Sequence, residues 1–447
     1  MSRIVIIGLG AGGFAAVLSA RKTDRNAEIV VIDEKDYDLM HPCGIPYLIE
    51  GAIGSVGNLK HDLNLPGMRV AHYKNYRAMQ IDRANKIVTS RNIFSGEDQD
   101  VSYDKLIIST GSIPVIPPVD GIKEFIGKGV FTAVDPEDAE HIRKMSRTAP
   151  CAVVLGAGAI GLEIASALSD NGCEVTVVEM LDHAFPKALD PDMAKLLHEY
   201  LEEKGIVLKM GSRVEGVQGG ECLDKVIVDG EEVPCKFLIL GAGARPNVEL
   251  AKNAGIETGP LGIATDKSML TSDKDIYAIG DCAQTYQMIS GEPGIMPLST
   301  VAYKQGTVAG ASAAGADIAF PGIIGAFVSK VGEMEVASVG MNMEAAKKAG
   351  YEPVFGKIKD SSRPDWYPNG KEINLKVIVD KVSRKVLGAQ AVGFSGAAWR
   401  INVVSASIYS GHTVDQLGEI ELAYCPPVSQ TYDALTKAAD LAARKIR

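Results

Sequence analysis

Cys43 stands in the run His41-Pro42-Cys43-Gly44-Ile45-Pro46-Tyr47. Gly44 and Pro46 suit the start of a helix. A thiol at a helix N-terminus is favoured as the thiolate, the nucleophilic and redox-active form. Two other runs could hold phosphate: Gly8-Leu9-Gly10-Ala11-Gly12-Gly13 and Gly156-Ala157-Gly158-Ala159-Ile160-Gly161. Both satisfy G-x-G-x-x-G. The glycines allow a tight turn and close approach to a pyrophosphate, while the helix N-terminus faces the negative charge. About 20 residues on, each run is followed by an acid placed to take a ribose hydroxyl: Asp33, with Glu34 beside it, and Glu179. A carboxylate at Glu179 repels a 2′-phosphate, and the next residues are Met180, Leu181 and Asp182 rather than an arginine. The second site is therefore expected to take NADH rather than NADPH.

The elements that must position these groups are legible nearby. Arg3 to Gly8 is a short apolar run ending in glycine, which predicts a buried parallel strand feeding a helix from Gly12 to about Lys22. Glu28–Asp33 is the next strand. The plan recurs: strand Cys151–Leu155, turn Gly156–Gly161, helix to about Asn171, strand Glu174–Glu179. One βαβ unit is thus duplicated within the chain, and two dinucleotide sites are expected. Asp104–Pro114 and Lys236–Asn247 each read as a strand running into a Gly/Pro turn, and Asp275–Asp281 as a strand ending in Gly280-Asp281. Beyond about Pro321 the pattern changes to alternating strands, Glu335–Val339 and Ile373–Val379, with helices after Gly396 and Gln430. That segment predicts a separate α+β domain.

Composition narrows the classes. The 447 residues are 46% hydrophobic and 23% charged, as in globular proteins with large cores. A net charge of −10 and a pI near 5.4 have the wrong sign for nucleic-acid binding. No apolar run reaches the roughly 18 residues of a membrane span, and the first strand leaves no room for a signal peptide, so a cytoplasmic location is expected. The seven cysteines are scattered without a Cys-x-x-Cys, so no metal site or disulfide framework is expected. Only Cys43 has a neighbourhood that asks for chemistry.

Taken with Ser109-Thr110-Gly111-Ser112-Ile113-Pro114, Gly243-Ala-Arg-Pro-Asn247 and Thr271 to Cys282, the two glycine units resemble the flavoprotein pyridine nucleotide-disulfide oxidoreductase superfamily over essentially the whole chain. The resemblance implies a fold of two Rossmann-like domains and a C-terminal α+β dimerisation domain. It divides the chain into an FAD-binding domain (1–113 and 242–320), an NAD-binding domain (114–241) and a dimerisation domain (321–447). It also implies FAD on the first unit with Thr110 and Gly111, Gly280 and Asp281 at the ribityl–pyrophosphate region, and Ser299 to Ala302 near the flavin ring. Gly243 and Glu163 then belong to the nicotinamide site, and the last domain makes a homodimer.

Within the superfamily, one cysteine without a companion four residues away resembles the single-cysteine branch of NADH oxidases, NADH peroxidases and coenzyme A disulfide and persulfide reductases. Peroxidases and many water-forming oxidases carry a histidine in the first glycine loop, where this chain has Ala11. Coenzyme A disulfide reductases lack it and use two tyrosines of the dimer domain, whose places are taken by Tyr367 and Tyr424. Plain core or interface tyrosines are the alternative. Lys22 stands where a basic residue contacts the coenzyme A nucleotide, or is simply a solvated lysine. Pro42 replaces the usual asparagine, and Ala159 a tyrosine that gates the nicotinamide pocket. The expected function is an FAD enzyme using NADH to reduce a low-molecular-weight disulfide, persulfide or polysulfide through Cys43, with coenzyme A as substrate or ligand. The alternatives are an NADH oxidase and an NADH-responsive interaction protein.

Overall fold

The computed structural model describes residues 2–446. The short Val/Ile runs become strands of two parallel five-stranded sheets built to one plan. In the first, the order is Ile276–Ala278, Lys105–Ile108, Arg3–Ile7, Glu28–Asp33, Val70–Lys74. In the second it is Val130–Phe131, Phe237–Leu240, Cys151–Leu155, Glu174–Glu179, Val207–Met210. Every pairing in both is parallel. The central strands Arg3–Ile7, Glu28–Asp33, Cys151–Leu155 and Phe237–Leu240 are buried on both faces, as apolar runs without alternation require. Ile4 pairs with Ile29 in the first sheet, as Ala152 pairs with Val175 in the second.

Helices Ala11–Thr23 and Ala159–Asp170 make the crossovers of the two glycine units. The first packs against helix Ser299–Ala313 at very short range. A Cβ at Gly306 would stand 2.1 Å from the Gly12 carbonyl oxygen, and one at Gly310 2.3 Å from that of Ala16. Each parallel sheet is accompanied by a three-stranded antiparallel meander, Tyr76–Ser102 and Val214–Pro234, which the glycine-unit pattern does not announce. The C-terminal region is a five-stranded antiparallel sheet in the order Phe327–Val331, Met334–Gly340, Val386–Gly393, Glu372–Asp380, Pro353–Ser361, with helices Trp399–Tyr409 and Ala434–Arg444. The architecture is the expected α/β class with two Rossmann-like sheets and an α+β C-terminal region.

The chain divides into two compact units. One comprises Met1–Pro42, Gly57–Pro114 and Ala244–Ile323; the other comprises Cys43–Val56, Val115–Gly243 and Ile324–Arg447. The Cys43 segment thus groups with the second glycine unit, although it follows the first in sequence. Two side chains tie it there: Asn171 Nδ2 donates to the Ile49 carbonyl at 2.9 Å, and Arg143 Nη1 to that of Gly54 at 2.7 Å.

Within the second unit, an ionic network centred on the buried pair Lys376–Asp190 joins the C-terminal sheet to helix Pro191–Glu203. Lys376 is 2% exposed and pairs with Asp190 at 2.8 Å and Asp192 at 2.7 Å, its ammonium 4.2 Å from the centre of the Phe355 ring. Asp190 also accepts from Gln390 Nε2 and the Met343 amide. Burial pushes the Asp192 carboxyl up, but hydrogen bonds from Lys376 and Lys357 hold it below its ordinary value. Lys376→Met should cost about 3–5 kcal/mol by stranding Asp190, whereas Lys376→Met with Asp190→Asn should recover much of it. Denaturant midpoints of the two variants check this; a double variant no more stable than the single one would count against it.

Candidate functional site

Each glycine loop lies at the point where strand order reverses, between the strand that leads into it, Arg3–Ile7 or Cys151–Leu155, and that strand's neighbour on the other side, Lys105–Ile108 or Phe237–Leu240. Loops leave such a point in opposite directions and open a crevice. The first and last glycines of each motif are required by the chain's own backbone. A Cβ at Gly8 would lie 2.3 Å from the Ser109 carbonyl oxygen, and one at Gly13 2.1 Å from that of Gly8. In the second loop, the corresponding distances are 2.4 Å from Gly156 to the Gly241 oxygen and 2.1 Å from Gly161 to the Gly156 oxygen. The middle glycines differ. A Cβ at Gly10 or Gly158 would meet no protein atom within 4 Å. The room left at Gly10 and Gly158 is therefore not filled by the protein, and it fits a pyrophosphate in each loop.

The strand-end acids hold these loops in shape. Asp33 Oδ2 accepts from the Leu9 amide at 2.6 Å, and Oδ1 from the Lys35 amide at 2.9 Å. Glu179 repeats the arrangement, Oε2 accepting from the Ala157 amide at 2.8 Å and Oε1 from the Leu181 amide at 2.9 Å. A carboxylate has about four acceptor positions, so both retain capacity for a ribose hydroxyl. Glu34 is exposed and ion-paired with Arg77 at 2.7 Å. Met180 and Leu181, after Glu179, are exposed apolar side chains.

Around the first crevice, Thr110 Oγ1 donates to the Asn247 carbonyl at 2.7 Å, and the Asn247 amide to that of Gly111 at 2.9 Å. Gly280 has φ +73°, and its amide donates to the buried Gln305 at 2.8 Å. Asp281 accepts from Ser112 Oγ at 3.0 Å; burial pushes its carboxyl above the ordinary value, and the Ser112 bond opposes this. Ser299, exposed, opens helix Ser299–Ala313, and the buried Ala302 brings its carbonyl to 3.2 Å from where a Cβ on Gly12 would stand. Gly12, Ala302 and Gly280 therefore converge, and these residues fit an FAD whose pyrophosphate lies on the first loop. Lys22 is exposed in the last turn of helix Ala11–Thr23. Its neighbour Arg21 is committed to the carbonyls of Met68, Arg25, Ala27 and Arg69.

In the second unit, Ala11's counterpart Ala159 begins helix Ala159–Asp170, with Ile160 exposed and Gly243 in the left-handed region at φ +91°. Glu163 follows on the same helix and accepts from Ser329 Oγ at 2.6 Å. Cys43 is a free, exposed thiol in the tight turn Pro42–Gly44, ahead of a helix of six residues, Ile45–Glu50, for which Gly44 is the N-cap. That helix packs on Ala159–Asp170. Tyr47, half-buried in it, has its phenol pushed up to about 12 by burial and by the charges of Glu163, Glu50 and Cys43. Tyr47, Ser329, Asn171, Ser112 and Gln305 were not anticipated from sequence. Only Tyr47, four residues from Cys43, carried a local signal. Tyr424 is exposed, and Tyr367 half-buried under Arg363 and Trp366. Among the described residues no cluster of His, Cys, Asp or Glu could hold a metal ion, and no helix is long and apolar enough to cross a membrane.

Two Rossmann-like units, each with an open glycine loop, followed by an α+β region define the class, and the comparisons agree. Residues 2–306 match the pyridine nucleotide-disulphide oxidoreductase family, and residues 327–435 match its dimerisation domain. The chain belongs to this family and is an NAD(P)H-dependent flavin oxidoreductase. It is 37% identical to an NADH oxidase of Methanocaldococcus jannaschii, over 99% of both chains. It is 32% identical to an NAD(P)H coenzyme A polysulfide/persulfide reductase of Pyrococcus horikoshii, over 97% of this chain and 96% of that one. Among solved structures, the NAD-dependent persulfide reductase from A. fulgidus superposes with a TM-score of 0.95 at 37% identity, covering 99% of this chain and 83% of that one.

The open middle glycines generate a direct test. Gly10→Ala should fold but bind FAD at least ~10-fold more weakly, and Gly158→Ala should keep its flavin yet bind NAD⁺ at least ~10-fold more weakly. Gly13→Ala, which meets the Gly8 oxygen, should instead fail to yield folded protein. Flavin absorbance per chain and NAD⁺ titration separate these outcomes. Wild-type NAD⁺ affinity in Gly158→Ala would show that the open space there is not the nucleotide's.

Proposed function

We propose that the protein uses NADH to reduce a low-molecular-weight disulfide, persulfide or polysulfide, with coenzyme A disulfide or persulfide as the leading candidates. The observation that carries this reading is Cys43: an exposed thiol in the turn that leads into a short helix, Ile45–Glu50, packed against the helix of the second glycine loop and carrying Tyr47. FAD is held by the first loop, Asp33, Thr110, Gly111, Gly280, Asp281 and the start of helix Ser299–Ala313. NADH is held by the second loop, Glu179 and Gly243, with Glu163 at the nicotinamide. Lys22 contacts the substrate's nucleotide. The relative from Pyrococcus horikoshii, named for coenzyme A polysulfide and persulfide reduction, supports the substrate class.

Bound flavin supplies the two-electron relay between NADH and sulfur. The chain's own residues do the rest. Cys43 Sγ, as thiolate, attacks the substrate S–S bond; a bond from Cys43 to sulfur forms, the substrate bond breaks, and a thiolate leaves. Tyr424 or Tyr367 of the partner subunit gives that thiolate its proton. The dimerisation domain supports a homodimer, as do the large apolar side chains that the C-terminal region exposes, Trp366, Trp399 and Val428 among them. A second reading, NADH oxidase with Cys43 passing through sulfenic acid, is favoured by the relative from Methanocaldococcus jannaschii. Ala11 in the first glycine loop argues against a peroxide acceptor, because it cannot move a proton.

Anaerobic NADH consumption with coenzyme A disulfide, coenzyme A persulfide, polysulfide and peroxide, set beside aerobic turnover with oxygen, decides the acceptor. Sulfur acceptors should lead; oxygen turnover exceeding all of them would replace this reading with the oxidase. Cys43→Ser should keep its FAD and its reduction by NADH while losing turnover with sulfur acceptors, and full activity in that variant would end the proposed role of Cys43.

NADH should surpass NADPH in kcat/KM, since Glu179 is pinned to the loop amide and Met180 and Leu181 offer a phosphate no charge. Glu179→Ala with Met180→Arg should narrow the gap by at least ~10-fold. An unchanged ratio would place the selectivity elsewhere.

Tyr424→Phe should slow thiol release by about 10²-fold without changing flavin content. Mixing Cys43→Ser chains with Tyr424→Phe chains should restore part of the activity, because one of the two composite sites then carries neither defect. Absence of recovery after verified subunit exchange would mean that the tyrosine does not act across the dimer.

A further inference from the structure

Strand Phe327–Val331 opens the C-terminal sheet, with Val328 and Lys330 turned outward and Ser329 and Val331 buried. Ser329 pairs in register with Val336 of the next strand, which is also buried. A core-facing strand position between apolar neighbours ordinarily takes an apolar side chain, because a buried hydroxyl without a partner is costly. Ser329 is only 3% exposed, and its hydroxyl donates to Glu163 Oε1 at 2.6 Å. The bond is short and charge-assisted, hence directional. It spans 166 positions in sequence, from the C-terminal sheet to the helix of the second glycine loop.

Glu163 is the fifth residue of that helix, which begins at Ala159 with Gly158 as its N-cap. Residues three and four apart share a helix face, so Glu163 lies beneath Ile160 and Ala159. These two follow Gly158, where the loop leaves open space, and Ile160 is exposed. At 1.5 Å per residue, Glu163 stands roughly 7 Å along the axis from the loop, about the reach of one ribose beyond a pyrophosphate. The carboxylate thus shares a helix face with Ala159 and Ile160, the first two residues beyond the open Gly158. Burial pushes Glu163 above its ordinary value, and the Ser329 bond opposes this.

We propose that Ser329 is a positioning residue: by engaging Oε1 it fixes the Glu163 carboxylate so that Oε2 accepts from the carboxamide N–H of a bound nicotinamide. This rests on the reading that NADH occupies the second glycine loop. It assigns the first strand of the C-terminal sheet a part in nucleotide recognition, through one hydroxyl.

The probes are NAD⁺ and 3-acetylpyridine adenine dinucleotide, in which a methyl group replaces the carboxamide NH₂. Their binding to the oxidised holoprotein is measured by fluorescence titration, without turnover. Wild type should prefer NAD⁺ by about 10-fold, the worth of one hydrogen bond to a charged acceptor. Ser329→Ala should reduce the preference to within about two-fold, Ser329→Thr should retain it, and Glu163→Ala should abolish it. If Ser329→Ala loses its flavin, Ser329→Cys, which preserves volume with a weaker donor, serves in its place and should also lose most of the preference. Two results overturn the role of Ser329 while leaving the nucleotide site intact: a wild-type preference in Ser329→Ala, or equal weakening of both nucleotides, when Glu163→Ala discriminates less than wild type. Indifference to the two nucleotides in wild type and Glu163→Ala alike removes the nicotinamide from Glu163, and the proposal falls with that reading.

Discussion

The close approach of two backbone loops at each sheet's reversal point is the constraint on which the rest depends. Gly8 touches the loop that begins at Ser109, and Gly156 the loop that begins at Gly241, at distances no side chain could survive. The strand-end acids complete the clamp by accepting the amides of Leu9 and Ala157. With those amides satisfied and the backbone pinned on two sides, the slack in the motif is at Gly10 and Gly158, where a Cβ would meet no protein atom within 4 Å. A loop held in this way is ordered before any anion arrives, so the proposed pyrophosphate binding would require little further ordering.

The two units diverge at the edge strand beyond the reversal point. In the first sheet the edge is Ile276–Ala278, a late strand whose end supplies Gly280 and Asp281 to the crevice. In the second it is Val130–Phe131, an early strand that leads to a helix capped by Asp135. One duplicated frame thus offers a half-buried carboxylate, Asp281, beside the first glycine loop and none from the matching place beside the second. The second unit gains its polar group differently, from Glu163 on the crossover helix, steadied by Ser329.

Chemistry at Cys43 depends on where its segment is anchored. Asn171 caps the crossover helix of the second unit and holds the Ile49 carbonyl, while Arg143 holds that of Gly54. The thiol therefore belongs mechanically to the unit of the second glycine loop. The same unit is joined to the C-terminal sheet by the buried Asp190–Lys376 pair, with the exposed Asp192 as a second partner of the lysine. Buried charges of this kind are costly unless their partners are in place, so removing one partner is more damaging than replacing both.

The sequence alone determined the features that local spacing encodes. Both glycine motifs, the strands around them and the acids at Asp33 and Glu179 followed from short-range patterns, as did Cys43 ahead of a helix start and the change of pattern near Pro321. These are legible because a tight turn demands glycine where it occurs and a buried strand demands apolar residues in series. Tertiary structure decided what depends on residues far apart. Asp33 and Glu179 stood out in the sequence as acids at strand ends, but not as clamps on their own loops. Ser329 carried no local signal of its contact with Glu163, and nothing around Asn171 pointed to Ile49. The two meanders also went unread, since short strands with exposed faces carry little periodic signal. Partners more than a hundred residues apart are selected by shape and by the need to satisfy buried polar atoms, and that information exists only once the chain is folded.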